Sequence, residues 1–392
     1  MKILIVITKA EIGGAQVFVL NLAKGLKLAG HQVTVASGLG SFLPEELKKE
    51  GIDFYQFKNL KRSFNPLANV NFVKELKAYV AQNSFAVVHL NSSNALLGTW
   101  SLRALKLKTG KPKIVFTIHG LSLIDGQHRS FKIIKKVYRY FFKLAFKKLD
   151  HIVFVSNNNF NFAKKIGMLN NGLFKKASII YNGLDFPSNY FFSRKDSLAL
   201  LRDNLFKNKQ VSKELVDDFF TDNAFIYGSI GRLAYPKNYE FLISTFIDLK
   251  KEIPQAKLLI IGDGPDREKY QSMMAAYNLN KDIILLGELK EASRFLKVFN
   301  LFVLPSVFEG LSLSLIETKF AGVPSLASLV GGNEEIIGKD ACFRLNDLEE
   351  FIKKAKQIYN NNSEPLILKE EYEEIKFSSK KMIDEYIRLY LR

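Results

Sequence analysis

The chain has 392 residues, 47% of them hydrophobic, with a formal net charge of +18 and a single cysteine, Cys342. That length exceeds one ordinary core and calls for two domains. One cysteine excludes an internal disulfide or a Cys-based zinc site, and no run of about 18 apolar residues is present to span a bilayer.

The N-terminal Met1-Lys-Ile-Leu-Ile-Val-Ile-Thr8 is apolar but lacks a small-residue cleavage site. It is read as a first strand, Lys2–Thr8, and not as a signal peptide, which makes a cytosolic location the simplest expectation. Glu11-Ile-Gly13-Gly14-Ala15-Gln16 follows and leads into a helix, Gln16–Ala29. Two glycines at a strand-to-helix turn let backbone approach a phosphate. The pattern is not G-x-G-x-x-G, no acidic residue stands at the NAD spacing, and a plain tight turn reads it equally well. Further strands at Gln32–Ala36, Val87–Leu90, Ile114–Ile118 and Ile152–Val155 alternate with helices that include Pro66–Gln82 and Ser130–Lys148. This is the rhythm of an open parallel sheet.

Three features of this half carry candidate chemistry. Asn91-Ser-Ser-Asn94 falls at an expected helix start, where it contacts an acceptor or a phosphate, or simply caps the helix. Thr117-Ile-His119-Gly120 closes the strand Ile114–Ile118. An imidazole there can donate to a sugar hydroxyl or carry charge near a leaving group; the plain alternative is a strand-end histidine bonded to backbone. Phe131–Lys148 holds seven basic residues and no acidic one, with apolar residues on more than one helical face. It suits an anionic lipid leaflet, its lysines reaching the head groups, as well as it suits a core helix with a basic outer side. Residues 1–185 hold 28 Lys+Arg and 9 Asp+Glu, a net of +19, whereas residues 186–392 hold 29 and 30. An asymmetry of this size within one chain points to a polyanionic or membrane partner for the first half, with compositional bias as the alternative.

Around Asp185 the pattern breaks, and residues 186–223 read as a polar, helix-prone connector. Strands resume at Ala224–Ile230, Lys257–Ile261, Asp282–Leu286, Leu301–Leu304 and Pro324–Ala327, and the tail ends in a helix from Glu370 to Leu391. Gly231-Arg232-Leu233 with Pro236-Lys237-Asn238 forms the first loop of this half, and its two cations can converge on a diphosphate. Gly262-Asp-Gly-Pro265 and Leu286-Gly-Glu-Leu289 close the next two strands. Glu309-Gly-Leu-Ser-Leu-Ser-Leu-Ile-Glu317 then places two carboxylates on either side of a strand-to-helix junction. Backbone N–H groups at such a helix start meet an anion at the positive end of the dipole. One glutamate is then free to accept sugar hydroxyls and the other ribose hydroxyls. Ser314-Leu-Ile-Glu317 also fits a capping box, in which Glu317 only satisfies the helix terminus.

Taken in order, Gly13-Gly14, Thr117-Ile-His119-Gly120, Tyr181-Asn-Gly183, Gly231-Arg-Leu-x3-Lys237, Gly262-Asp-Gly-Pro265 and Glu309-x7-Glu317 resemble the retaining glycosyltransferases of family 4. The resemblance implies an α/β, GT-B fold: two facing Rossmann-like, doubly wound domains with a cleft between them. It implies an acceptor-binding domain over 1–185, a helical connector over 186–223, a nucleotide-sugar domain over 224–368, and a C-terminal helix, 369–392, crossing back to the first domain. Glu309, His119, Arg232 and Lys237 would carry catalysis. Gly13, Gly14, Gly231, Leu289, Gly310, Leu311, Ser312, Leu313 and Glu317 would bind the donor, Leu289 through its backbone to the base. No metal or other cofactor is expected: the chain has no Asp-x-Asp, and Arg232 with Lys237 supplies the positive charge.

The function expected is transfer of a hexose or N-acetylhexosamine from a nucleotide diphosphate, a UDP-sugar foremost, to a lipid-linked, lipopolysaccharide or capsule-type glycan. The enzyme would sit peripherally on the inner face of the plasma membrane through its basic half, with no nucleic-acid partner. Two other readings compete: a UDP-sugar isomerase of the same fold, and a non-enzymatic basic protein that binds nucleic acid or anionic lipid.

Overall fold

A computed structural model describes residues 1–61, 65–121, 124, 132–185, 193–208, 212–361 and 375–392. The chain divides into two compact units, Met1–Asp185 with Glu373–Arg392, and Phe186–Tyr372.

The first unit is built on seven parallel strands: β1 (Lys2–Ile7), β2 (Gln32–Ser37), β3 (Asp53–Gln56), β4 (Val87–Asn91), β5 (Lys113–Ile118), β6 (His151–Phe154) and β7 (Ala177–Ile179). Their spatial order is β3-β2-β1-β4-β5-β6-β7. β1 shows why such a sheet reads as an unbroken apolar run. Ile3, Ile5 and Ile7 enter the core on one face, against Phe18, Val19 and Leu22 of the Gly14–Leu28 helix. Leu4 and Val6 enter the core on the other. The expected strands of this half all appear within a residue or so of their ends. β3 and β7 escape the sequence reading because both are short and lie at sheet edges, partly or wholly exposed, where no apolar run is selected.

The helix expected from Glu370 runs over Ser379–Leu391, capped by Ser378, whose Oγ accepts from the Lys381 N–H; residues 370–374 lie outside the described residues. This helix packs on the Gly14–Leu28 helix at Gly25, where a Cβ would stand 1.9 Å from Cδ1 of Ile383. It reaches the sheet through polar bonds in a dry core. Tyr390 Oη pairs with His89 Nδ1 at 2.7 Å, His89 Nε2 with Thr117 Oγ1 at 2.7 Å, and Thr117 Oγ1 with Tyr386 Oη at 2.8 Å. Burial holds His89 uncharged, its pKa lowered to about 3 by desolvation and by the neighbouring His119.

The second unit has six parallel strands: β8 (Phe225–Ile230), β9 (Ala256–Ile261), β10 (Ile283–Gly287), β11 (Leu301–Leu304), β12 (Ser325–Ser328) and β13 (Cys342–Phe343), ordered β10-β9-β8-β11-β12-β13. β13, two residues long at an edge, is the strand missed here. The segment read as a helical connector packs against this unit. Its helices Arg194–Asn208 and Lys213–Phe219 bury Leu201, Leu205, Val216 and Phe219, and Arg194 Nη2 donates to Asn300 Oδ1 at 3.0 Å. Among the described residues no helix is long and apolar enough to cross a membrane.

Candidate active site

In the second unit the carboxyl ends of β8, β9 and β10 are laced into one platform, the place where ligands sit in parallel sheets of this kind. Gly231 N–H donates to Ile261 O at 3.0 Å, Leu233 N–H to Asp263 O at 3.0 Å, and Gly262 N–H to Gly287 O at 2.8 Å. The loops approach this closely because Gly262 and Gly264 lack side chains. A Cβ on Gly262 would lie 2.0 Å from Gly231 O, and one on Gly264 would lie 2.4 Å from Leu233 O. Leu289 follows two residues after β10 and is half-buried.

Glu309 lies beyond β11 and, among the described residues, is held through one oxygen. Lys237 Nζ stands 2.8 Å from Oε1, and Ser306 Oγ donates to the same Oε1 at 2.7 Å. The salt bridge is largely enclosed, with side-chain exposures of 21% and 14%, so solvent screens it little. Lys237 reaches this position along Gly231, where a Cβ would come within 3.2 Å of the lysine Cε. The two cations expected to converge on a diphosphate are therefore unlike. Lys237 is committed to Glu309 here, whereas Arg232 is exposed.

The turn after Glu309 is braced from behind. Gly310 O accepts from Gly332 N–H at 3.0 Å, and Gly331 has a φ of +54°, with a Cβ position 1.9 Å from Glu309 O. Only glycine fits both the backbone angle and the contact. Leu311 and Ser312 are buried, and Ser312 Oγ caps the helix Leu313–Phe320 by accepting from Leu315 N–H. The cap is thus Ser312 and not Ser314, and Glu317 lies on the fifth helical residue, too far along for a capping box. Glu317 is half-buried, and loss of hydration pushes its carboxyl up to about 7. A carboxylate left poorly solvated without a structural duty is a marker of a functional site.

Three residues of this site escaped the sequence reading: Ser306, Gly331 and Asn333. Ser306 follows the strand-ending Pro305 and stands three residues before Glu309, which is a legible signal once a partner for the carboxylate is sought. Asn333 is buried, and its Nδ2 donates to Ser328 O at 3.0 Å; Ser328 Oγ in turn donates to Ser306 O. Nothing in a one-dimensional pattern pairs positions so far apart.

In the first unit, the ends of β1, β4 and β5 gather the other candidates. Gly13 precedes the helix Gly14–Leu28 in extended backbone, φ 173°, and the helix start has neither a side-chain cap nor an acidic residue in its first turn. A Cβ on Gly13 would lie 2.8 Å from the Gln16 side chain, whose Nε2 donates to Lys9 O. His119 Nε2 lies 3.0 Å from Asn91 Oδ1, and its ring meets the edge of Phe18 at 4.7 Å. Desolvation lowers the His119 pKa to about 4. Burial therefore favours the neutral ring near pH 7. The Asn91-Ser-Ser-Asn94 segment is also revised. Asn91 ends β4 and binds His119, Ser92 takes a φ of +133° and accepts from Thr8 N–H at 3.1 Å, and Asn94 makes no side-chain cap.

The basic run is helical over Lys132–Phe146; Ser130 and Phe131 lie outside the described residues. Phe142, Ala145 and Phe146 are buried, while Ile133, Val137 and Tyr140 are 75%, 62% and 66% exposed. These three recur at i, i+4 and i+7, so they form a stripe on the side opposite the core.

Two family models match the chain: Glycosyltransferase Family 4 over residues 12–186 and Glycosyl transferases group 1 over residues 212–376. Among curated proteins, UDP-Gal:alpha-D-GlcNAc-diphosphoundecaprenol alpha-1,3-galactosyltransferase of Escherichia coli is 26% identical over 300 residues, 72% of this chain and 70% of that protein. The capsular polysaccharide biosynthesis glycosyltransferase CapH of Staphylococcus aureus is 25% identical over 381 residues, 93% of this chain and 94% of its own. Among solved structures, Anabaena Alr3699/HepE in complex with UDP and glucose superposes with a TM-score of 0.76 at 16% identity, covering 99% of this chain and 98% of that one. The α/β architecture is that of the two-domain GT-B fold.

Proposed function

This chain belongs to the glycosyltransferases of group 1 and family 4, and we propose that it transfers a sugar from a UDP-sugar, with retention, to a glycan carried on a lipid. The observation that carries the donor assignment is the single-oxygen hold on Glu309 beside the start of the helix that bears Glu317. With Oε1 occupied by Lys237 and Ser306, Oε2 is the atom left to accept the donor sugar's hydroxyls. Glu317 accepts the ribose hydroxyls, and the backbone of Gly310 to Leu313 meets the phosphates at the helix start. Arg232, which is exposed, and Lys237 offset the charge that builds on the leaving diphosphate. On this reading the two side chains take the place of a divalent metal. The departing phosphate accepts the acceptor's proton as the new bond forms on the same face, which retains the anomeric configuration. Leu289 completes the donor contacts of this unit.

UDP and a lipid-linked acceptor are supported by what the relatives are named for: the Escherichia coli protein uses UDP-Gal and a diphosphoundecaprenol-linked sugar, and the Anabaena structure holds UDP and glucose. The exposed Ile133, Val137 and Tyr140, flanked by Lys132, Lys136, Arg139 and Lys143, match a helix that lies on an anionic leaflet. On this reading the enzyme sits peripherally on the cytoplasmic face of the membrane.

The test is turnover of labelled UDP-sugars with lipid-linked glycan acceptors, with product and anomer analysis. Transfer with retention, abolished in Glu309→Ala, supports the assignment. Epimerised free nucleotide sugar without transfer, or full activity in Glu309→Ala, overturns it. Failure to pellet with anionic liposomes at low salt would assign the basic surface to a soluble acceptor.

A further inference from the structure

We propose that Asn91 is a positioning residue that locks His119 into its Nε2–H tautomer, so that the ring offers Nδ1 as a hydrogen-bond acceptor to a hydroxyl of the bound sugar. The proposal rests on the reading of this chain as a sugar transferase.

The amide of Asn91 has one permitted orientation. The side chain is fully buried, and Nδ2 donates to the carbonyl oxygen of His89 at 3.3 Å. A carbonyl only accepts, so turning the amide over would set two acceptors against each other. Oδ1 therefore faces His119 Nε2, 3.0 Å away, and a nitrogen opposite an acceptor must carry the proton. A neutral imidazole has one N–H, which leaves Nδ1 as a lone pair. The ring is steadied by the Phe18 edge at 4.7 Å. The backbone after Asn91 is pinned too: Ser92 is held at φ +133° by the Thr8 N–H bond, a strained geometry of the kind that persists where a site over-determines it. Among the described residues the titratable neighbour coupled to His119 is His89, itself saturated by Thr117 and Tyr390 and kept neutral by burial.

The chemical consequence is a preference at this point of the site. A hydroxyl can donate to Nδ1, whereas a carboxylate cannot, so neutral hexosyl donors are accepted and uronic acid donors are disfavoured. An imidazolium would reverse that order.

Asn91→Asp keeps the side-chain shape, adds a negative charge beside His119 and replaces the Nδ2–H donor to His89 O with a carboxylate oxygen. Nitrogen-15 NMR of the histidines in the wild-type protein should show His119 as the Nε2–H tautomer throughout pH 6–8. In Asn91→Asp the new carboxylate should raise the His119 titration by roughly 1–3 pKa units. The variant's kcat/KM for a neutral UDP-hexose should fall near pH 6, by up to about tenfold at the upper end of that shift, and recover toward pH 8, while the wild-type ratio stays flat over that range. A wild-type Nδ1–H tautomer overturns the proposal without any need of the variant. So does an Asn91→Asp enzyme whose His119 titration and pH profile match wild type. Unimpaired transfer by Glu309→Ala would instead defeat the donor-site reading, and the tautomer measurement is independent of that result.

Discussion

Glu317→Gln should stabilise the fold and weaken nucleotide binding in one step. The carboxyl is pushed up from 4.5 to about 7 because the fold strips it of water. A folded-state pKa above the unfolded one means that the native state holds the proton more tightly. Stability is then full below about 4.5 and declines as pH rises toward about 7. The cost of the ionised form at pH 8 is at most about 3.5 kcal/mol, since one pKa unit corresponds to about 1.4 kcal/mol. An amide of the same shape avoids that cost. For a domain of this size each kcal/mol moves Tm by about 2–4 °C, so Glu317→Gln should raise Tm by several degrees at pH 8 and by almost nothing at pH 4.5. The same change removes the charged acceptor for ribose. Hydrogen bonds to a charged group contribute about 1.5–3 kcal/mol, so UDP should bind roughly 10- to 100-fold more weakly, and wild-type affinity should itself decline as pH falls through about 7. Thermal melts with and without UDP at several pH values read both effects. Equal or lower Tm in the variant at pH 8, or UDP affinity independent of both the substitution and pH, would refute the reasoning.

Ser306→Ala removes the second bond to Glu309 Oε1 while leaving Lys237 in place. Loss of a hydrogen bond to a charged group predicts a fall in kcat/KM of about 10-fold or more with little change in Tm, and an unchanged kcat/KM would count against the single-oxygen hold. Gly331→Ala drives a Cβ into Glu309 O at a φ of +54°, whereas Gly338→Ala at φ +84° meets open space. The first should lose at least about 2 kcal/mol and most activity, the second about 1 kcal/mol and no activity; chemical denaturation with turnover assays separates them.

Much of this protein was legible as a string. A parallel sheet buried on both faces demands near-continuous apolar runs, so β1, β4, β5, β8, β9 and β11 announce themselves, and glycines mark the turns where backbone must come close. The edge strands β3, β7 and β13 did not, because half-exposed backbone pairing selects no apolar pattern. The same divide runs through the site. Glu309, Glu317, Lys237 and His119 stand out through residue type and their place after a strand, whereas which oxygen of Glu309 is occupied and which helical position Glu317 holds are three-dimensional facts. Composition set the basic half and its helical run, but only packing put Phe142 and Phe146 inward and left Ile133, Val137 and Tyr140 outside. Local chemistry is written in neighbouring residues. Protonation, tautomer and partnership depend on burial and on groups brought from distant positions, as Asn91 is to His119, and those are settled only when the chain folds.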